Sequence, residues 1–253
     1  MRIAVAGGTG TVGRYVVQAA EQSGHHVVIL SRRAGIDLQN GEGLAAALEG
    51  IEVVVDATNA GTTNQAKATA FFCEVSRRLQ TVATAQGVTR LVTLSIVGAD
   101  RVPGFGYYQA KLAHEAAALG GPLPATIVRA TQFHEFPAQI LGRTRMGPMA
   151  MVPRMRVQPV AARTVGEVLL EVAAGLPGQE MVEVAGPEPA DLVDLARSVV
   201  ARRGQRVAVL PVRVPGRAGK AMRSGALLPT PGVRLAGPGF ADWLAGEDLA
   251  AVP

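Results

Sequence analysis

The chain of 253 residues has a single cysteine, Cys73, which excludes an intrachain disulfide and any cluster of thiolate metal ligands. Lysine is almost as scarce: only Lys67, Lys111 and Lys220 occur, so the formal charge of +5 is carried by arginine. Those arginines stand singly or in pairs. No long basic run exists, which argues against nucleic acid as a partner and leaves the arginine excess as a matter of codon usage. Charged residues make up 18% of the chain, below the roughly 25% usual in soluble domains. No apolar stretch is long enough to span a membrane, and the run after Met1 is too short for a secretory leader, so the expected location is cytoplasmic, with no membrane partner. No His, Cys and carboxylate group has metal-ligand spacing, so no metal is expected. The chain does have a 48% hydrophobic content, 30 glycines and 16 prolines. This suits one large α/β domain with a smaller lobe, rich in turns and without internal repeats.

The first structural signal is at the N-terminus. Residues 3–6 are a short apolar run of the kind buried on both faces of a parallel sheet. They lead into G-G-T-G-T-V-G at 7–13, then a helix with Val12, Val16, Val17 and Ala20 at helical spacing, then a strand at 27–30. A glycine turn between a buried strand and a helix is the signature of a dinucleotide site. One glycine allows the tight turn, one the approach of a pyrophosphate and one the packing of helix on strand, and the phosphate sits at the helix N-terminus. Gly7, Thr9, Gly10, Thr11, Val12 and Gly13 are the candidate contacts. After the second strand, where an NAD site usually places an acid, stand Ser31, Arg32 and Arg33. Two guanidiniums and a hydroxyl suit a 2′-phosphate, so NADP is expected over NAD. Asp37, near the end of a short third segment, is either an acceptor for the adenine amino group or a turn cap.

Further along, helix 44–48, strand 53–55, helix 66–86 and strand 91–95 continue the alternation that specifies a doubly wound parallel sheet. Small residues after the strand at 53–55, including Thr58 and Asn59, suit passage of the backbone beside a cofactor. Ser95 ends what reads as the fifth strand. Twelve residues later comes G-Y-Y-Q-A-K at 106–111, in which Tyr107 and Lys111 fall at i and i+4 and share a helix face. A phenol, with a pKa of about 10, is a poor acid–base group at neutral pH unless a nearby ammonium favours the phenolate. Lysine also suits ribose hydroxyls, and a serine hydroxyl can hold a carbonyl oxygen on which charge develops. Tyr108 projects about 100° away round the helix, toward packing or a substrate mouth.

The glycine-rich residues 7–13, Ser95 and Tyr107-x-x-x-Lys111 resemble the short-chain dehydrogenase/reductase superfamily. The early GGTGTVG, the chain length and R-A-T-Q-F-H-E-F at 129–136 resemble its atypical, NmrA-like branch. The resemblance covers essentially the whole chain. It implies a Rossmann core, residues 1–150, and a small C-terminal substrate lobe, residues 151–253, with 181–185 returning to the main sheet. It also implies catalytic roles for Ser95, Tyr107 and Lys111, and cofactor contacts from Lys111, Ala130 and Thr131. On the same footing Ser95, Tyr108, Gln132, Phe133 and His134 are expected to line the substrate pocket.

The second half begins with a strand at 125–128. His134 is a second proton donor, a ligand to a phenolic substrate, or a packed histidine. Met149, in a methionine-rich stretch with Met146, Met151 and Met155, is either core filler or a wall for an irregular apolar ligand. Helices are expected at 165–174 and 190–203, a strand at 181–184 and another, in the small lobe, within 205–212. The tail, 213–253, reads as irregular, anchored by Phe240 and Trp243. The expected activity is NAD(P)H-dependent reduction of a carbonyl or quinone on an apolar, polyketide-like molecule of secondary metabolism, by a monomer or homodimer. Two alternatives stand beside it: net hydroxylation through a hydroquinone and oxygen, and an NADP-sensing regulator without catalysis.

Overall fold

Residues 1–175 and 179–246 are described in a computed structural model of the chain. The strands are β1 (Arg2–Ala6), β2 (His26–Leu30), β3 (Val53–Asp56), β4 (Arg90–Ile96), β5 (Ala125–Ala130), β6 (Arg145–Met146), β7 (Met149–Pro153), β8 (Arg156–Val157), β9 (Met181–Ala185), β10 (Ala190–Asp191), β11 (Ala208–Val212) and β12 (Arg234–Leu235). The helices are α1 (Gly13–Gln22), α2 (Leu44–Ala47), α3 (Gln65–Ala85), α4 (Gly106–Leu119), α5 (Phe136–Thr144), α6 (Ala162–Ala174), α7 (Leu192–Arg202), α8 (Gly216–Arg223) and α9 (Phe240–Gly246).

Seven strands form a mostly parallel, Rossmann-like sheet in the order β12-β9-β5-β4-β3-β1-β2. The apolar runs of β1 and β3 place them inside it. Ile3 to Ala6 and Val53 to Asp56 are buried, and β1 pairs with β2 on one side and β3 on the other, bringing Ala6 level with Leu30 and with Asp56. The carboxyl ends of these strands therefore lie side by side, where a doubly wound sheet forms its crevice. Asn64 caps α3 by accepting from the Lys67 amide at 3.0 Å, and the helix buries Ala68, Phe72, Val75, Leu79 and Ala83 at helical spacing. Each large apolar side chain of that face contributes about 1.5–3 kcal/mol by its burial.

By internal contact the chain divides into two compact units. The first comprises Met1–Ile96, Phe105–Arg129 and Arg163–Val182; the second comprises Val97–Gly104, Ala130–Ala162 and the residues from 183 onward. The second unit contains a three-stranded sheet, β11-β7-β6, so the strand expected within 205–212 occurs as β11.

Two expectations are corrected. Residues 31–38 contain a 3₁₀ turn, Arg32–Ala34, and no strand, so Ser95 lies on the fourth strand in chain order, not the fifth. The tail is not irregular: it forms α8, β12 and α9, and residues 247–253 lie outside the described residues. These elements are short and gain their stability from packing, which local propensity does not reveal. Trp243 and Phe240, for example, stand 5.2 and 5.3 Å from the His134 ring.

Candidate active site

The turn after β1 depends on two glycines. Gly7 has φ +73°, and a Cβ there would lie 2.7 Å from the Ala57 carbonyl oxygen, so β1 and the segment after β3 meet without room for a side chain. Gly13, the first residue of α1, is more constrained: its Cβ would lie 2.1 Å from the Gly7 oxygen. The loop is closed by the Gly10 amide donating to the Gly7 carbonyl at 2.9 Å. Thr9 and Gly10 are exposed, Thr11 is half-buried and Val12 is packed inward. No side chain caps α1 at Val12. A tight glycine cradle at a helix end without a side-chain acceptor fits a pyrophosphate.

At the end of β2, Ser31 is half-buried while Arg32 and Arg33 are exposed. Asp37 accepts from the Gln39 amide at 2.7 Å, the geometry of a turn cap. At the end of β3, Thr58 is buried and its amide donates to Asp56 Oδ1 at 2.9 Å, and the exposed Asn59 follows.

Helix α4 brings the tyrosines and the lysine to this edge. Tyr107 is half-buried and donates from its hydroxyl to Asn59 Oδ1 at 3.0 Å. Tyr108 is buried against Phe105, ring centres 4.7 Å apart; burial, reinforced by Tyr107, pushes its phenol well above the ordinary range. The two neighbours therefore differ in exposure: the Tyr108 phenol is buried, whereas Tyr107 is only half-buried. Lys111 is only 4% exposed. Its ammonium donates to the Leu94 carbonyl at 2.8 Å, next to Ser95, and lies 4.5 Å from the centre of the Phe72 ring. Burial lowers its pKa to about 8, against the opposing pull of Asp56 and Glu115. Ser95 is 1% exposed and its hydroxyl has no hydrogen-bond partner, leaving a buried donor and acceptor open.

The structure also shows polar residues that the sequence pattern did not single out. Asp56 and His114 are fully buried and paired, His114 Nε2 to Asp56 Oδ2 at 3.0 Å, while His114 Nδ1 faces Lys111 Nζ at 3.1 Å. Arg129 holds Glu115 in a two-pronged ion pair at 2.9 and 2.7 Å. A signal for His114 was present: it lies at i+3 from Lys111, on the same helical face. Nothing in the pattern of β3 distinguished Asp56 from a strand-end turn residue.

The remaining candidates belong to the second unit. Ala130 and Thr131 are buried, and the Thr131 hydroxyl donates to the Gln158 carbonyl at 2.5 Å. Gln132 is half-buried with both amide atoms unpartnered, and Phe133 bridges to Val160. His134 Nε2 is 3.1 Å from the Pro238 carbonyl, so that nitrogen carries the proton, and Nδ1 has no partner. Met149 is 41% exposed on β7, on the same side of the small sheet as Met151 and Leu210.

A family profile described as NAD(P)H-binding matches residues 7–174, from the glycine turn to the end of α6. The chain belongs to the NAD(P)H-binding family. The photosystem II assembly factor Ycf39 of Synechocystis is 32% identical over 117 residues, 41% of this chain; the match spans 36% of that relative, about a third of its length. Two solved structures share the fold across nearly the whole chain. One is MoeE5 in complex with UDP-glucose and NAD, with 19% identity, 97% of this chain and 96% of that one covered, and a TM-score of 0.73. The other is the NADPH-dependent quinone oxidoreductase QOR2 of Escherichia coli with NADPH, with 16% identity, 96% and 98% covered, and a TM-score of 0.72. The expected NAD(P)H-binding family and Rossmann-like fold are thus upheld, and these two fold neighbours were solved with NAD and with NADPH respectively. Among the described residues no helix is long and apolar enough to cross a membrane, and no group of His, Cys and carboxylates could hold a metal ion.

Proposed function

We propose that this NAD(P)H-binding protein is a reductase that uses NADPH to reduce a carbonyl or quinone group on an apolar small molecule. The observation that carries the reading is the placement of Tyr107 and Lys111 on α4. The tyrosine hydroxyl is hydrogen-bonded to the segment after β3 and the ammonium is seated against the end of β4, both in a chain whose glycine cradle fits a pyrophosphate. When bound, the cofactor supplies hydride. Tyr107 donates the proton to the substrate oxygen, Lys111 favours the resulting phenolate by its charge, and the open Ser95 hydroxyl holds the substrate oxygen as charge builds on it. Tyr108 packs beside the tyrosine as part of the substrate wall. Thr58 and Asn59 border the cofactor, as do Ala130 and Thr131. In the second unit Gln132, Phe133 and Met149 are the proposed contacts for an apolar ligand, while His134 takes the packed role, against Phe240 and Trp243.

Preference for NADP over NAD is part of the proposal. Arg32 and Arg33 are exposed directly after β2 and, among the described residues, form no ion pair, so both guanidiniums are available to a 2′-phosphate. The quinone is favoured by the likeness in fold to a quinone oxidoreductase bound to NADPH.

The test is oxidation of NADPH with menadione and a panel of ketones by wild type and by Tyr107→Phe. Turnover by wild type and its loss in Tyr107→Phe is expected. Full activity in the variant overturns the acid role. Tight NADP binding with no turnover of any substrate turns the assignment to a cofactor-sensing regulator.

A further inference from the structure

Helix α4 buries an unusual set of groups: Lys111, His114 and Glu115 lie on its inner face beside Tyr108, Ala110 and Ala118. Arg129 accounts for Glu115. Lys111 and His114 join a different partner, Asp56, which reaches them from β3. The result is one continuous buried chain: the Leu94 carbonyl, the Lys111 ammonium at 2.8 Å, His114 at 3.1 Å, and Asp56 at 3.0 Å, with the other Asp56 oxygen accepting from the Thr58 amide at 2.9 Å. Asp56 and His114 are 0% exposed. The flat side of the His114 ring is stacked on Phe72 at 4.6 Å and 19°, which fixes the plane in which its two nitrogens point.

The donor inventory determines the protons. An ammonium only donates, so His114 Nδ1 accepts from Lys111 and Nε2 carries the hydrogen given to the Asp56 carboxylate. The imidazole is then neutral, and the chain holds one positive and one negative charge with a polarisable ring between them. A competing arrangement uses the same heavy atoms: the proton moves from Nζ to Nδ1, leaving a neutral amine beside an imidazolium paired with Asp56. Burial and the adjacent ammonium both disfavour a charged His114. The groups that act on Lys111 are few. Asp56 comes from β3, and His114 and Glu115 come from its own helix. Arg129 of β5 stands behind Glu115, while α3 presents the uncharged Phe72 ring and β4 a carbonyl.

We propose that Asp56 and His114 are positioning residues for Lys111: the buried carboxylate fixes the imidazole with its Nε2 hydrogen inward, so that Nδ1 seats the Lys111 ammonium and keeps it charged beside the end of β4. The arrangement follows the logic of an oriented acid–base pair, with a carboxylate setting a tautomer so that the far nitrogen can serve a third group. Without the carboxylate, Lys111 would be a buried ammonium opposed only by Glu115, itself paired with Arg129, and would give up its proton more readily. The same Asp56 side chain grips the segment that presents Asn59 to Tyr107, so both members of the tyrosine–lysine pair are tied to it. The catalytic consequence rests on the role proposed above for Lys111; the protonation state itself does not.

The scarcity of lysine makes the test direct. Protein labelled with ¹³C at lysine Cε gives three side-chain signals, and Lys67 and Lys220 are exposed references. Wild-type Lys111 is expected to titrate at about 8, with His114 neutral and its hydrogen on Nε2 by ¹⁵N NMR. Asp56→Asn and His114→Leu lower the Lys111 titration by about one unit or more. His114→Gln, which can accept from lysine and donate to the carboxylate, keeps it within about half a unit. If Asp56→Asn does not fold, the two His114 variants decide. In the reaction of NADPH with menadione, the alkaline limb of kcat moves toward acid in His114→Leu by the same interval as the lysine signal, and returns in His114→Gln. A Lys111 titration unmoved by His114→Leu, or an imidazolium at His114 at neutral pH, overturns the proposal. If wild type turns over no substrate, the reductase reading fails while the NMR result still decides this one.

Discussion

The hydroxyl of Tyr107 donates to Asn59 Oδ1 at 3.0 Å, joining helix α4 to the segment that follows β3. This bond holds the phenol at the end of the sheet where the cofactor cradle opens, and it predicts unequal effects. Tyr107→Phe removes the proposed acid and should reduce kcat by about 10²–10⁴. Asn59→Ala removes one neutral hydrogen bond and should cost about three- to tenfold, with kcat affected more than the KM for substrate. Tyr108→Phe should leave turnover near wild type, because that phenol is buried and held protonated. Steady-state NADPH oxidation by the three variants checks the order.

A second prediction concerns the cradle. A methyl group at residue 13 would stand 2.1 Å from the Gly7 carbonyl oxygen, a backbone atom with little freedom to move. Gly13→Ala should displace the turn, cost about 1–3 kcal/mol of stability and weaken NADPH binding by at least about a hundredfold. Fluorescence titration with NADPH and a thermal melt measure the two effects separately. Binding at wild-type strength would show that this turn does not hold the pyrophosphate.

Much of this was legible in the sequence, and the reason is local. The alternation of buried strands and amphipathic helices has short periods, and the glycine turn is a contiguous motif, so β1, α1, β3, α3 and β4 could be read directly. Tyr107 and Lys111 were legible because helical geometry converts a spacing of four into a shared face. The Asp56–His114 pair was not legible in the same way. Its members are 58 residues apart, and only the assembled sheet places the end of β3 beside α4. The residues after β2 misled for the opposite reason: a short stretch after a strand looks like the start of another, and here Gly35, with φ +74°, closes a 3₁₀ turn instead. The order of α8 and α9 was hidden because those helices owe their existence to packing and not to local preference.

Cofactor choice supplies a third prediction. Arg32 and Arg33 are exposed at the end of β2, and a charge-assisted hydrogen bond to a phosphate is worth about 1.5–3 kcal/mol. Replacing both with alanine should weaken NADPH binding by about 10–100-fold and leave NADH binding within about twofold of its original value. The effect should shrink as salt is raised, since both groups are in contact with solvent. Equal loss for the two cofactors would mean that the arginines do not recognise the 2′-phosphate.

The last prediction concerns stability. His134 is packed against Phe240 and Trp243, and Nε2 donates to the Pro238 carbonyl; burial lowers its pKa from 6.5 to about 4, with the Pro238 bond opposing that shift. The folded protein therefore holds this ring neutral, whereas the unfolded chain takes up a proton on it below about pH 6.5. Between those two values the unfolded state binds more protons, so stability rises with pH across the window and is lost as pH falls from about 6.5 to about 4. The contribution of this one residue to that loss is about 3 kcal/mol. His134→Phe should be less stable at pH 7, by about 1 kcal/mol for the lost hydrogen bond, yet lose less on acidification. His114, which is also held neutral by burial, keeps some slope in the variant. Trp243 is the chain's only tryptophan and stands 5.2 Å from the His134 ring, so urea unfolding followed by tryptophan fluorescence at several pH values reads the effect at its source. Parallel curves for wild type and variant between pH 6.5 and 4 would show that His134 is protonated in the folded protein.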